Sequence, residues 1–352
     1  MAFVKEENTS AGKVRSAFDV AALESWMASH VEGFAGPLTV QQFKGGQSNP
    51  TYLLITPQKR YVLRRKPPGT IIKSAHDVLR EARVMRALAS TAVPVPTIYA
   101  VCEDEGVIGT QFYIMALVEG RIFWDAAFAS VPKPERVHYY DAMNITIARL
   151  HGVNPDDIGL GDYGRKGNYF VRQINRWSRQ YMEDGVAGRN DDMEALVKWL
   201  PGAIPEGDET AIIHGDFRCD NVIFHPHLPE IVAVLDWELS TLGHPLADFA
   251  YHVLMYRIPP DIVAGLGGAD PIELGLPSEE EYIATYCQRT GRDNIPHWDF
   301  YIAFNLFRLA AIFHGIKGRV LRGTASSAEA SKKAAAFPRL ARMARDAMDA
   351  CK

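Results

Sequence analysis

Two short apolar strands that each run into an aspartate constrain this chain most. Residues 211–221 read AIIHGDFRCDN, and residues 232–238 read VAVLDWE. Each apolar run is too short for a helix and is cut by polar residues, as happens where a strand ends at a cavity. Between them, VIFHPHLPEIVAVLD carries a proline-bearing turn between two apolar runs and is predicted to form a hairpin. The hairpin would return Asp236 to the end where Asn221 sits. Strand ends facing one cavity would then present Asp216, Asn221 and Asp236 on a rigid support.

At 352 residues the chain is long for one core, so two lobes are expected. Its 47% hydrophobic and 23% charged residues fit an ordinary globular protein. A formal net charge of −4 gives no case for nucleic acid or an anionic membrane as a partner. Cys102, Cys219, Cys287 and Cys351 are scattered without CxxC spacing, which suits free thiols in a reducing cytosol. The opening MAFVKEENTSAGK has no apolar signal-peptide core, and a cytoplasmic location is expected. The apolar stretch from Ile302 to Ile316 is broken by Asn305, Arg308 and His314, and is expected to be a buried helix.

Periodicity changes along the chain. Residues 18–30 put Val20, Leu23 and Met27 on one helical face behind Asp19. LTVQQF, TYLLIT and RYVLRR follow, separated by Gly-Gly and by Pro57-Gln58-Lys59, which predicts an antiparallel meander. Ser74 is a candidate cap for a helix to Leu88, with Val78, Ala82, Met85 and Leu88 inward. PTIYAVC and FYIMALVEG add two more strands. After Glu119-Gly120 the pattern becomes helical over residues 134–151, 169–182, 192–200, 245–256, 278–290, 298–320 and from 325 onward. The expected organisation is α+β: residues 1–118 form a small antiparallel-sheet lobe with one helix, and residues 119–352 a larger, mainly helical lobe.

GLGDYG at 159–164 matches GxGxxG, but Asn154-Pro155-Asp156-Asp157 precedes it, so a loop is predicted instead of a dinucleotide site. No GxxxxGK[ST] occurs. A metal-dependent hydrolase is a rival, since His214, Asp216, His225, His227, Asp236, His244, Asp248 and His252 crowd together. His225 and His227 flank a turn proline, however, and a ligand set must converge on one point.

Phosphoryl transfer needs an aspartate to take up the acceptor's proton, oxygen ligands for Mg²⁺, a cation for the phosphates and a loop to cover them. Asp216 is the candidate base, with Asn221 and Asp236 the candidate metal ligands. HGDFRCDN followed by VLDWE resembles the aminoglycoside phosphotransferase-like branch of the protein-kinase-like fold, with its HxDxxxxN loop and later Asp. ARLHGV, GGQSNPTYLL, YVLRRKPPG and GHPLADFAY extend the similarity over most of the chain. More closely, it resembles the phosphotransferase-like domain fused to some acyl-CoA dehydrogenases.

The resemblance implies a bilobal protein-kinase-like fold using ATP and Mg²⁺. It makes Asp216 the base, Asn221 and Asp236 the metal ligands and His214 a loop-orienting residue at the catalytic segment. Gly45, Gly46, Gln47, Ser48 and Asn49 sit where the phosphate-covering loop belongs. The usual lysine is missing: strand register gives Arg64 its place, with Lys66 on the same face, Arg65 on the other and Glu81 as helix partner. Arginine is a planar fork where lysine is a point charge, so either Arg64 or Lys66 is a candidate for phosphate. Main-chain groups around Ala116 to Val118 would meet the purine.

Asp236 is followed by Trp-Glu-Leu, and eleven residues separate it from Asp248, which leaves no room for a peptide-docking activation segment. A small-molecule acceptor is expected. From 317 to 352 there are nine Lys or Arg against three Asp or Glu, which favours an anionic acceptor such as a hydroxyacyl-CoA, steered by Lys317, Arg319 and Arg322. A catalytically silent nucleotide-binding module is the alternative.

Overall fold

A computed structural model of the protein describes residues 11–12, 18–43, 49–67, 77–325 and 327–351. The chain divides into two compact units, Met1–Arg121 with Ile223–Leu239, and Ile122–Val222 with Ser240–Lys352.

The first unit is built on an antiparallel sheet. Helix α1 (Val20–His30) is capped by Asp19, which accepts from the Ala22 amide at 2.9 Å. Strands β1 (Ala11–Gly12), β2 (Thr39–Phe43), β3 (Thr51–Ile55), β4 (Arg60–Arg65), β5 (Ile98–Cys102) and β6 (Phe112–Ala116) assemble in the order β1-β2-β3-β4-β6-β5. Period-two alternation sends Tyr52, Leu54, Tyr61, Leu63, Phe112 and Ile114 into one core with Leu23 and Met27 of α1. Val20, expected on the same inward face of α1, is exposed.

Helix α2 (Val78–Leu88) packs against β5 and β6 and buries Val78, Ala82, Met85 and Leu88, as the spacing predicts. Asp77 is its cap, accepting from the Arg80 amide at 3.1 Å, while Ser74 lies outside the described residues. The hairpin of β8 (Val222–Phe224) and β9 (Ile231–Val234) gathers with this sheet instead of with the helices. Arg121 and Phe224 exchange two main-chain bonds at 2.8 Å, and Val234 donates to Pro94 at 2.8 Å. Gly120 makes this approach possible: a Cβ there would lie 2.2 Å from the Phe224 oxygen.

The second unit is helical, with α3 (Lys133–Gly152), α4 (Tyr169–Glu183), α5 (Asp191–Trp199), α6 (Pro245–Val253), α7 (Glu279–Thr290), α8 (Trp298–Leu321) and α9 (Ala328–Ala350). Helix α8 is buried along most of its length and packs on α4, α6 and α9. No described helix is long and apolar enough to cross a membrane. A strand pair, β7 (Ala211–Ile213) and β10 (Thr241–Gly243), is set among the helices with Ile213 opposite Thr241. GLGDYG lies in a turn-rich loop, where the Leu160 amide donates to Pro155 at 2.7 Å.

Candidate functional site

Within the first unit, strand alternation sorts three consecutive cations. Arg65 turns to the α1 side, donating to the Tyr52 hydroxyl at 3.2 Å beside the Phe18 ring. Arg64 turns to the opposite side. Its Nε lies 2.7 Å from Glu81 Oε2, and its Nη2 donates to Asp236 Oδ1 at 2.6 Å, with Glu238 3.9 Å away. Lys66 follows β4 half-buried; its amide donates to Gln111, and its ammonium has no carboxylate partner among the described residues.

Glu81 is 1% exposed and is held further by Asn49 Nδ2 at 2.6 Å and the Tyr113 hydroxyl at 3.1 Å. Burial raises the Glu81 pKa against the pull of Arg64. Burial opposes the charge on Arg64 as well, but Glu81 and Asp236 outweigh it and drive its pKa upward. Asp236 sits at φ 60°, a left-handed conformation that costs a non-glycine residue energy. Its Oδ1 is committed to Arg64, and Oδ2 makes no hydrogen bond among the described residues.

Asn49 departs from the sequence expectation. Its side chain is fully buried and donates to Glu81. Gly45, Gly46, Gln47 and Ser48 lie outside the described residues. The Ala116 amide is taken by Thr97 at 2.8 Å, whereas the main chain of Val118 has no partner among the described residues.

The HGDFRCDN loop lies wholly in the second unit. Gly215 adopts φ 84°, which an L-residue resists, and so turns the chain sharply between His214 and Asp216. Asp248 braces that turn: Oδ2 accepts from the His214 amide at 2.8 Å and Oδ1 from the Gly215 amide at 2.7 Å. His151 Nε2 contacts the same Oδ2 at 3.2 Å, and its Nδ1 meets the Tyr286 hydroxyl at 2.8 Å. Burial acts to raise the Asp248 pKa, yet His151 and the loop amide hold it below the usual carboxylate range. Arg308 closes the turn from α8, donating to the Gly215 oxygen at 3.0 Å.

Both Asp216 oxygens are engaged. Tyr251 donates to Oδ1 at 2.6 Å, and Asn221 Nδ2 donates to Oδ2 at 3.0 Å and to the Asp216 main-chain oxygen at 2.8 Å. Burial raises the Asp216 pKa, opposed by Arg218 and the Tyr251 hydroxyl. Asn221 spends its amide nitrogen on Asp216, and its amide oxygen makes no hydrogen bond among the described residues. His214 is fully buried, and its Nδ1 accepts from the Asp216 amide at 3.2 Å, a loop-holding position. Arg218 is paired with Asp220 at 2.9 Å.

No group of three or more His, Cys, Asp or Glu that could hold a metal occurs among the described residues, the histidine-rich segment included. His225 accepts from the amides of its own turn, and His244 caps α6 through the Leu246 amide at 3.2 Å. His252 is locked between the Phe217 oxygen and the Tyr282 hydroxyl and kept neutral by burial, its pKa lowered to about 4.

Sequence inspection missed Tyr251, His151 and Arg308 as members of the loop's support. Tyr251 had a local signal, since it follows Asp248 by three residues on one helix and so shares its face.

The chain belongs to the phosphotransferase enzyme family, whose model matches residues 39–304. It is 44% identical over 313 residues to acyl-CoA dehydrogenase family member 10 of Mus musculus, covering 88% of this chain and 29% of that protein. A crystal structure from Ralstonia eutropha JMP134, provisionally named an aminoglycoside phosphotransferase, is 50% identical. Its TM-score is 0.88, covering 95% of this chain and 99% of that one. The kinase-like fold is shared with spectinomycin phosphotransferase APH(9)-Ia, solved with ADP and spectinomycin. That match has 12% identity and a TM-score of 0.63, over 95% of this chain and 99% of that one. The chain spans 29% to 41% of the length of three curated relatives it matches.

Proposed function

We propose that this chain is an ATP- and Mg²⁺-dependent kinase that phosphorylates a hydroxyl of a small anionic acceptor, a hydroxyacyl-CoA. The observation that carries this is Asp216: a half-buried carboxylate fixed by Asn221 and Tyr251 on a strand-end loop, in a chain of the phosphotransferase enzyme family. Asp216 orients the acceptor hydroxyl and accepts its proton, and His214 holds the loop. Asn221 through its amide oxygen and Asp236 through Oδ2 are the oxygen donors a hard cation takes. Mg²⁺, if these donors hold it, would supply positive charge to the transferred phosphoryl group.

Arg64 keeps Nη1 without a partner among the described residues and Lys66 keeps its ammonium, so both suit phosphate oxygens. Gly45, Gly46, Gln47 and Ser48 would cover the phosphates, and the Val118 main chain would meet the purine. Glu81 positions Arg64.

The acceptor's charge has a different support from the one the composition indicates. Arg322 is tied to Asp184, Arg339 to Asp261, Arg342 to Asp192 and Asp346, and Arg345 to Asp349, so much of the C-terminal basic excess is neutralised locally. Arg176 and Arg179 on α4 have no carboxylate partner among the described residues. They line an open groove of about 460 Å³ with Arg322, Glu183 and Asp184. Likeness to a dehydrogenase-named relative points to a CoA thioester as the anion.

The test is ADP release from ATP and Mg²⁺ with matched panels of hydroxyacyl-CoA thioesters and aminoglycosides. Turnover of a CoA ester, lost in Asp216→Asn and made Mg²⁺-independent or abolished in Asp236→Ala, is expected. Efficient aminoglycoside phosphorylation with no CoA-ester turnover rejects the acceptor. Zinc-sustained hydrolysis rejects the reaction. ATP binding without turnover of any acceptor supports a silent module.

A further inference from the structure

A small cavity of about 40 Å³ lies behind the catalytic loop in the second unit. Its walls are mostly apolar: Leu254, Met255, Ile258, Val263, Ala264 and Leu309, with Ala126 at the back. The polar members are all spent or neutral. Arg218 is bonded twice to Asp220, at 3.0 and 2.9 Å. His252 has both ring nitrogens engaged. Cys219 is a buried free thiol. No carboxylate lines the cavity, so an ammonium group would enter it without a counter-charge, at the desolvation penalty of an unpaired ion. An alkyl group would enter it with gain.

Tyr251 connects this cavity to the chemistry. Its side chain lines the cavity while its hydroxyl donates to Asp216 Oδ1 at 2.6 Å. The cavity and the carboxylate therefore share one side chain, Tyr251. An acceptor whose hydroxyl meets Asp216 can place only a short branch there. At roughly 10–15 Å³ of such space per water-sized group, the cavity holds about three heavy atoms and no sugar ring.

We propose that this cavity is the specificity pocket for a short, uncharged alkyl tail on the hydroxyl-bearing carbon of the acceptor. The acceptor is thus a secondary alcohol, and Met255, Ala264 and Leu309 set the permitted tail length. This rests on the kinase assignment above, and goes beyond it in naming what flanks the reacting hydroxyl. A hydrophobic pocket distinguishes one methylene by roughly 10- to 200-fold. The wild-type enzyme should therefore show a sharp limit in tail length instead of a gradual decline.

The experiment measures kcat/KM for hydroxyacyl-CoA thioesters differing only in the tail beyond the hydroxyl, from methyl upward. Ala264→Leu fills the cavity and should lower kcat/KM at least about 10-fold for all but the shortest tail. Met255→Ala enlarges it and should move the optimum to longer tails, with ATP KM unchanged in both. Wild-type tail ranking in both variants, with each folded by thermal unfolding, overturns the pocket while leaving the kinase assignment standing. Should no CoA ester be turned over, a second measurement decides the pocket alone. A series of simple 2-alkanols is tested for stabilising the full chain against heat. Stabilisation by the short members, abolished in Ala264→Leu, upholds the pocket; equal responses in wild type and variant overturn it.

Discussion

The two polar constellations are built on opposite principles. In the first unit one guanidinium, Arg64, stands among the carboxylates of Glu81, Asp236 and Glu238, and charge holds the group together. In the second unit the HGD turn is held by hydrogen bonds from main-chain amides, a phenol and an amide side chain, with Asp248 accepting from two successive N–H groups. A charge cluster is broken by removing one ion, because its partners are then left buried and unpaired. A hydrogen-bonded turn loses its members one at a time, and each loss displaces geometry more than charge.

That contrast sets the order of mutational effects. The largest is expected where geometry and proton transfer coincide. Asp216→Asn keeps the shape and the Asn221 and Tyr251 neighbours but removes the proposed base, and turnover should fall roughly 10²- to 10⁴-fold with ATP affinity nearly unchanged. Steady-state kinetics alongside a nucleotide titration check this. Turnover close to wild type would remove Asp216 from the chemistry.

Next is the charge cluster. Arg64→Ala leaves the buried Glu81 carboxylate facing Asp236 with no cation and should destabilise the chain by about 3–5 kcal/mol. It should also raise the ATP KM or depress turnover more than Lys66→Ala. Arg64→Lys should fall between the two, since an ammonium is a point charge where the guanidinium reaches two carboxylates at once. Urea unfolding and ATP-dependent kinetics on the three variants make the comparison. A larger kinetic effect from Lys66→Ala would transfer the phosphate contact to Lys66.

What the sequence could and could not reveal follows the same division. The alternation in RYVLRR places Arg64 and Arg65 on opposite faces, and the position of Glu81 on α2 follows from helical spacing, because local periodicity controls both. The long helices are legible for that reason, with ends shifted by up to three residues. Asp77 caps α2, a choice local composition could not make between two good capping residues. Strand β10 is three residues long and exists only through pairing with β7, so no periodicity marks it. The supports of the HGD turn are hidden for a stronger reason: His151 and Arg308 lie 97 and 93 residues from their partners. Arg308 in an apolar helix is visible only as an interruption, and its purpose, a bond to the Gly215 oxygen, needs the tertiary structure.

A smaller effect tests the hydrogen-bonded brace through pH. Asp248 is fully buried and its carboxyl is held below the ordinary range despite that burial, with His151 supplying the largest favourable influence. A carboxylate whose pKa is depressed on folding stabilises the chain above the unfolded value, about 3.9, and loses this as pH falls through the folded value. Asp248→Asn retains one acceptor oxygen and should cost about 2–3 kcal/mol at neutral pH. The gap from wild type should narrow in acid. Urea unfolding at neutral and at acid pH reads this directly. A gap that stays constant would mean that Asp248 acts by shape alone.

The smallest effect belongs to charges that belong to neither constellation. Arg176 and Arg179 lie three residues apart on α4, so they share a helix face, and both are exposed. Neither has a carboxylate partner among the described residues, unlike Arg322 in the same groove, whose charge is spent on Asp184. If the phosphates of a CoA thioester are drawn to this face, each arginine acts through solvent, where an exposed pair contributes about 0.2–1 kcal/mol and salt screens it. Reversing both, as Arg176→Glu with Arg179→Glu, should raise the acceptor KM several-fold at low salt. The difference from wild type should shrink as ionic strength rises, and kcat and ATP KM should hold. The control is Arg322→Glu, which breaks the Asp184 pair and should instead lower thermal stability slightly. A KM for the CoA ester that is indifferent to the double reversal at low salt would place the anion elsewhere.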